Sequence, residues 1–467
     1  MYLNQFFTDY DETITQSLNI DPLGMTMIWS SLGQAIFNNR VSSISNDVRN
    51  YTLNLVHHYV IKTLVDSVDA KLSGELEKVY GQIDSLAFKQ TCLIFLENVF
   101  VFSMLAAESA EDVQTQGILG ASKARLKISQ NTTKRIPKAP LIFTRDSQEQ
   151  LLVRQLTLGV SGRYKTPFIE LSFFDKALRY HQPHSIPQWE NAQAFIVSHK
   201  GLRQLAETSV SFLKAFIKQN HFKPRVSWQD IPEAIKRQYV ECFASSEVVG
   251  SYSKDFWLKV TALDQKASGS LYQAISELGS DHSSAQVYFE RALQLETDDQ
   301  EKKRLNDICQ VEPFLAECEL LFTVLMSQKL QTEKEVYDTY CGLKRNVSSI
   351  ITLARGLATL DVKWSDSARK RYETLLEMRE LEGSDAQANM TVLVDKLLQY
   401  HHNIMAQRGQ SPWVEKDRQG NYRCHVALRS LPEPERRPYK SWYHRYYLDQ
   451  FSQLIRGLEG KGHDANI

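Results

Sequence analysis

The sequence predicts a mainly α, multi-helical fold, with a small β element in the middle region and a short hairpin near the C-terminus. Three observations predict it. Apolar residues recur at helical spacing through the first hundred residues and again from Lys200 onward, β-like runs are few and short, and glycine and proline gather in two places, 117–140 and 411–440.

Taken in order, Met25, Ile28, Trp29, Leu32, Ala35 and Ile36 fall on one helical face, and Val48, Tyr51, Leu55, Val56, Tyr59 and Leu64 on another. A helical bundle is expected over 1–116. Its most apolar window, Cys92–Ala107, carries Glu97 and Asn98 in its middle and falls short of the roughly 20 residues a bilayer crossing needs, so it reads as a core helix. Next comes 117–200, a basic loop followed by a mixed α/β stretch. Here "LIFT", "TPFIELSFF" and "AFIVSH" are short and rich in Phe and Ile, and each suits a strand or a buried helical segment. Helical spacing returns over 201–408. Ala285, Phe289 and Ala292 have the spacing of a tetratricopeptide second helix, but Thr297 stands where proline is usual and no second copy exists, so an ordinary amphipathic helix is expected. The last segment, 409–467, holds a turn at Asp417–Gly420 between two hairpin arms and then a terminal helix from Trp442 to Gly460.

Lys plus Arg and Asp plus Glu both number 55, so any nucleic acid or membrane must be met by a local patch rather than by overall charge. The amino terminus lacks the cationic start and apolar stretch of a secretory signal. The six cysteines are irregularly spaced and sit mostly among apolar residues, which suits reduced thiols in a cytoplasmic protein.

The stretch that most invites chemistry is Leu158–Phe168, "LGVSGRYKTPF". A phosphate-binding P-loop places lysine directly after its last glycine, whereas Arg163 and Tyr164 separate Gly162 from Lys165. Pro167 is expected to block the helix whose amino terminus would face a phosphate. What remains is charge. Ile118–Lys165 holds Lys123, Arg125, Lys127, Lys134, Arg135, Lys138, Arg145, Arg154, Arg163 and Lys165 against only Asp146 and Glu149. Such an excess favours a nucleic-acid backbone, because neutralising phosphates releases condensed counterions. Ser161 and Tyr164 could join Arg163 and Lys165 in that contact. An acidic counterpart lies in the same chain, since Asp281–Glu319 holds ten acids against four cations, and an intramolecular contact would satisfy the same charge. A second basic-aromatic cluster, "RRPYKSWYHRYY", interleaves Arg436, Arg437, Lys440 and Arg445 with Tyr439, Trp442, Tyr443, Tyr446 and Tyr447. That mixture stacks bases and holds phosphates, although Trp442, Tyr446 and Ile455 at helical spacing also make a core stripe, the favoured reading.

No metal-ligand spacing appears: His181 and His184 are separated by two residues in a proline-rich loop, and His57-His58, His401-His402 and Cys424-His425 are adjacent pairs. Glu170 and Asp175 faintly suggest a metal-dependent nuclease core. The expectation is a non-enzymatic helical subunit of a multiprotein assembly, without cofactor. It would contact DNA or RNA independently of sequence through Lys123, Arg125, Lys127, Lys134, Arg135, Lys138, Arg163, Lys165, Arg436, Arg437 and Lys440, alongside other protein subunits and without a membrane. The general character suits an accessory component of bacterial DNA-transaction or phage-defence machinery. The alternatives are a metal-dependent nuclease and a pure protein adaptor.

Overall fold

The computed structural model describes residues 21–461, apart from 43–44, 111, 130–139, 153, 280–283, 358–359, 361, 363 and 381–385. The polypeptide passes twice through each of two units. Residues up to Phe37 with Gln265–Tyr446 form the first, and Asn38–Asp264 with the residues from Tyr447 onward form the second. Helices dominate both, with twenty α-helices among the described residues.

Helix α1 (Thr26–Phe37) belongs to the first unit. The second unit then takes α2 (Val48–Asp66), α3 (Gly74–Tyr80), α4 (Leu86–Ala106), α5 (Ala121–Ser129), strand β1 (Leu141–Ile142), the short helices α6 (Gln155–Leu158), α7 (Val160–Arg163) and α8 (Lys165–Glu170), α9 (Ile186–Ser198), α10 (Lys200–Phe216), β2 (Arg225–Val226), α11 (Glu233–Phe243) and α12 (Ser246–Thr261). The first unit resumes with α13 (Lys266–Leu278), α14 (Ala285–Leu295), α15 (Asp299–Leu325), β3 (Leu330–Gln331), α16 (Glu333–Gly342), α17 (Val347–Arg355), α18 (Asp366–Leu376), α19 (Ala386–Gln407), β4 (Val414–Lys416) and β5 (Tyr422–Cys424). Helix α20 (Leu448–Leu458) returns to the second.

The second unit is built around α2, which packs against α4, α7, α9, α10, α12 and α20. A helix surrounded in this way is buried on all sides, so its polar residues must find partners inside. Asp47 caps it by accepting from the Arg49 amide, pairs with the Arg49 guanidinium and accepts from Ser246 Oγ, while Arg49 also donates to the carbonyls of Gln114 and Gln116. Burial works to raise the Asp47 carboxyl, but Arg49's charge and hydrogen bonds outweigh it and hold the group below its ordinary value. His57 and His58 bond to Tyr239 and Tyr180, and desolvation lowers both imidazoles, His57 to about 3, so both are neutral. Helix α12 meets α20 with backbones in contact: a side chain at Gly250 would meet the Gly457 carbonyl oxygen at 1.8 Å. By length and composition α4 is apolar enough to cross a membrane, but it is buried here against α2, α5 and α11.

Of the three β-like runs in the middle region, only "LIFT" supplies a strand. Leu141–Ile142 pairs antiparallel with Arg225–Val226, and Phe143 beside it is buried among Phe88, Phe95 and Phe216 with rings 5.8 to 5.9 Å apart. Burying one such ring stabilises the fold by roughly 1.5 to 3 kcal/mol. The other two runs supply helix and no strand. Lys165–Glu170 is α8, where Pro167 sits in the first turn and displaces no intrahelical donor, so it does not block a helix as the sequence suggests. "AFIVSH" continues α9, whose Trp189, Ala192 and Ile196 are spaced for one buried helical face.

The first unit repeats this plan around α15, which packs against α1, α13, α14, α16, α17 and α19. Helices α13 and α14 pack on each other with Ala285, Phe289 and Ala292 buried, as their spacing predicts. The expected hairpin is present as β4 and β5, and β3 adds a third antiparallel strand beside β5. The terminal helix starts later than predicted, at Leu448 and not near Trp442. Tyr446 and Tyr447 both adopt left-handed backbone angles (φ 50° and 62°), which end any helix running through them, so Trp442, Tyr446 and Ile455 do not form one helical stripe.

Candidate nucleic-acid interface

Helix α5 carries the basic region that the structure describes most fully. Its sequence "ASKARLKIS" contains no acid; Ala121 and Ala124 turn inward, while Lys123 and Lys127, four residues apart, share an exposed face. The helix lies along residues 150–152: Lys127 Nζ donates to the Gln150 carbonyl at 3.0 Å, and Gly120, just before the helix, faces Leu151 and Leu152. Arg154, at the amino-terminal end of α6, is exposed close to this contact. Arg125 is already engaged with Glu108 and with Thr115 Oγ1. Lys134, Arg135 and Lys138 lie outside the described residues.

The glycine stretch does cradle an anion, and the anion belongs to the chain itself. Glu97, buried in the middle of α4, accepts from the Ser161 amide at 2.8 Å and from Gln155 Nε2 at 3.0 Å, with the Val160 amide also favouring its charge. Burial raises the Glu97 carboxyl above its ordinary value despite these donors. Both glycines are required by space: a side chain at Gly159 would meet Glu97 Oε2 at 2.3 Å, and one at Gly162 would meet the Leu156 carbonyl oxygen at 2.4 Å. The turn is therefore a wrapping for a core carboxylate. Ser161 is buried beneath it, and Tyr164 is fully buried edge-on to Tyr51, so neither reaches the surface. Arg163 is half-buried, and Lys165 donates to the Lys176 carbonyl at 2.8 Å.

The second cluster is drawn onto α15 within the first unit. Arg437 pairs with Glu319 at 2.7 Å, donates to the Ala316 carbonyl at 2.5 Å and lies over the Tyr443 ring. Glu319 also takes Arg429 at 3.1 Å. Buried Glu312 collects four donors: the amides of Tyr443 and His444 at 2.8 and 2.7 Å, the Tyr446 hydroxyl at 2.5 Å and Trp29 Nε1 at 2.9 Å. The ring of Trp442 packs on Phe289. Arg436 and Lys440 stay exposed, the former beside Glu433 and the latter near the Tyr439 ring. Arg437 and the Tyr446 hydroxyl of this segment are thus spent on Glu319 and Glu312, two acids of the Asp281–Glu319 stretch that the charge pattern had matched instead with the basic region 118–165.

No family model, curated protein or solved structure matches this chain.

Function must accordingly be argued from the side chains. Among the described residues no three His, Cys, Asp or Glu side chains gather in a way that would hold a metal ion. His181 pairs with Asp66, and His401 is held between the Pro22 carbonyl and the Trp413 amide. Asp175 is taken up by the Ala177 amide and by Arg179, while Glu170 is exposed at the end of α8. All six cysteines are free thiols.

Two residues that organise the candidate segments, Glu97 and Glu312, escaped the sequence reading as functional positions. Each leaves a trace. Glu97 interrupts the most apolar run of the chain, and Glu312 stands directly before Pro313 inside an otherwise continuous helix. A carboxylate in such a place must be met by several donors or stay protonated.

Proposed function

We propose that this chain is a non-enzymatic helical subunit that grips a DNA or RNA backbone, without reading its sequence, through the α5 face of its second unit. The observation that supports the reading is the local charge of that face. Lys123 and Lys127 project from one side of an acid-free helix, with exposed Arg154 beside the segment on which the helix lies. Flexible cations on a helix can follow phosphates without base contacts, which gives position and affinity but no specificity. Lys134, Arg135 and Lys138 follow α5 in sequence, outside the described residues, and are not counted in this face.

The reading also implies company. Three cations neutralise few phosphates, so the dependence of log K on log salt has a slope of only about −3 and the grip is weak at physiological salt. Such a surface contributes within a multiprotein assembly whose other subunits supply the rest.

The test is fluorescence anisotropy of labelled duplex DNA and single-stranded RNA against salt, for the wild-type chain and for the Lys123→Glu, Lys127→Glu, Arg154→Glu triple variant. Binding by the wild type that falls with salt at a slope of about −3 in log K against log salt, and disappears in the triple variant, supports the reading. Arg436→Glu with Lys440→Glu serves as the comparison, expected to bind like the wild type. Equal binding by the triple variant and the wild type, or no binding at low salt, ends the proposal.

A further inference from the structure

Within the first unit, α18 and α19 leave a half-open groove of about 540 Å³. Lys370, Arg371 and Thr374 line it from α18, and Tyr400, Asn403 and Gln407 from α19; among the described residues no carboxylate lines it. Its volume falls in the range of small-molecule sites and exceeds that of a bare inorganic anion.

Two of these side chains hold unused donors. Tyr400 is 4 % exposed, and its hydroxyl has no hydrogen-bond partner. Arg371 is anchored at one end, where Nη1 donates to the Gly24 carbonyl at 3.0 Å, while its buried Nε is unpartnered. The anchor depends on Gly24: with φ +61° and the Arg371 guanidinium 2.6 Å from where a side chain would begin, no other residue leaves the arginine its place. Both donors are buried atoms of residues that line this one groove beside Lys370, and an acceptor there would satisfy them together. Burial raises the Tyr400 hydroxyl, and around it the cations Arg371 and Arg408 act against Asp21 and Cys318.

We propose that this groove binds a small phosphate-bearing molecule. The oxyanion takes the donors of Arg371, Lys370 and Tyr400, an array of guanidinium, ammonium and hydroxyl suited to a tetrahedral group with several acceptor oxygens. The amides of Asn403 and Gln407, each both donor and acceptor, are exposed and meet the remainder of the ligand. This site is independent of the α5 surface, which belongs to the second unit.

The test uses the full-length chain in isothermal titration and thermal-shift measurements at fixed ionic strength, with inorganic phosphate, adenosine monophosphate, adenosine and acetate as probes. Adenosine monophosphate is expected to bind saturably and more tightly than inorganic phosphate, with adenosine and acetate silent. Tyr400→Phe removes a hydroxyl that has no partner in the fold, and Lys370→Gln alters an exposed side chain, so both variants are expected to fold. Each should weaken binding by roughly tenfold or more, as expected for loss of one hydrogen bond to a charged group. The Lys123→Glu, Lys127→Glu variant should bind the mononucleotide like the wild type. Absence of saturable binding, acetate binding as well as phosphate, or unchanged affinity in both groove variants overturns the proposal.

Discussion

Glu312 should make the first unit less stable as pH rises through neutrality, and Glu312→Gln should abolish that component. The carboxyl is fully buried, and desolvation pushes it up to about 7 even though four donors favour its ionised form. The folded chain therefore holds this proton more tightly than the unfolded chain does. Its contribution is fully present below the ordinary carboxylate value and is lost as pH rises through about 7. At about 1.4 kcal/mol per tenfold, the group loses roughly 2 to 3 kcal/mol between about pH 5 and about pH 8. Glutamine keeps the shape and can still accept the amides of Tyr443 and His444, but its NH₂ faces the Trp29 indole N–H, which only donates. That mismatch adds a pH-independent cost of about 1 to 3 kcal/mol. Urea unfolding of both proteins across this pH range isolates the effect, because every other titrating group cancels in the difference. The stability gap between wild type and variant should narrow by roughly 2 to 3 kcal/mol toward the alkaline end. A gap that stays constant with pH would show that Glu312 is ionised throughout and refute the reasoning.

Three further outcomes are expected. Gly159→Ala, which forces a methyl group to 2.3 Å from Glu97 Oε2, should lower stability by about 1 to 3 kcal/mol in denaturant unfolding, whereas Gly74→Ala, with nothing within 4 Å, should be neutral or slightly stabilising. Arg345→Ala strips the cation from buried Glu317 at 2.9 Å, leaving it the Tyr340 hydroxyl, and should cost about 3 to 5 kcal/mol, while the neighbouring Lys344→Ala, whose pair with Glu435 is exposed, should cost less than about 1 kcal/mol. Burial drives the thiols of Cys92 and Cys318 well up and those of Cys242 and Cys309 to about 12, so all four should react slowly with Ellman's reagent near neutral pH and rapidly once the chain is unfolded in urea.

Helical periodicity made the architecture legible where it marked a single buried face, as in α1 and α14, and turn chemistry did the same at Asp417–Gly420. It failed where local backbone choices decide. Nothing in "TPFIELSFF" distinguishes a strand from the short helix that Pro167 opens, and nothing in "WYHRYY" announces two successive left-handed residues. Periodicity also says which residues are buried and not what they are buried against. The hub helices α2 and α15 illustrate the limit, since Asn54, His57 and Glu312 look like polar faces in sequence and lie inside because partners surround the helix. At the candidate sites, charge counting located the cations without saying which were already spent. Lys123 and Arg437 look alike in a count, yet one is exposed and the other is fixed to Glu319.

The spent cations share a logic that narrows where an external anion can act. Arg49, Arg345 and Arg437 each combine a carboxylate with one or more backbone carbonyls, using the several fixed donors of a guanidinium that a lysine ammonium does not offer in the same plane. The amides around Glu97 and Glu312 do the same without any cation. An incoming phosphate at those places would have to expel a core carboxylate and leave it buried without donors, a penalty that a few surface contacts do not offset. Anion binding therefore falls to donors that no carboxylate has already taken: the lysines of α5, exposed although Lys127 Nζ meets the Gln150 carbonyl, and the Tyr400 and Arg371 groups beside the half-open α18–α19 groove. The two differ in kind. Exposed lysines are screened by salt and follow a polymer of phosphates, whereas the buried donors of Tyr400 and Arg371 lose less to screening and select a small ligand by fit. Raising the salt should thus separate them, weakening the first far more than the second.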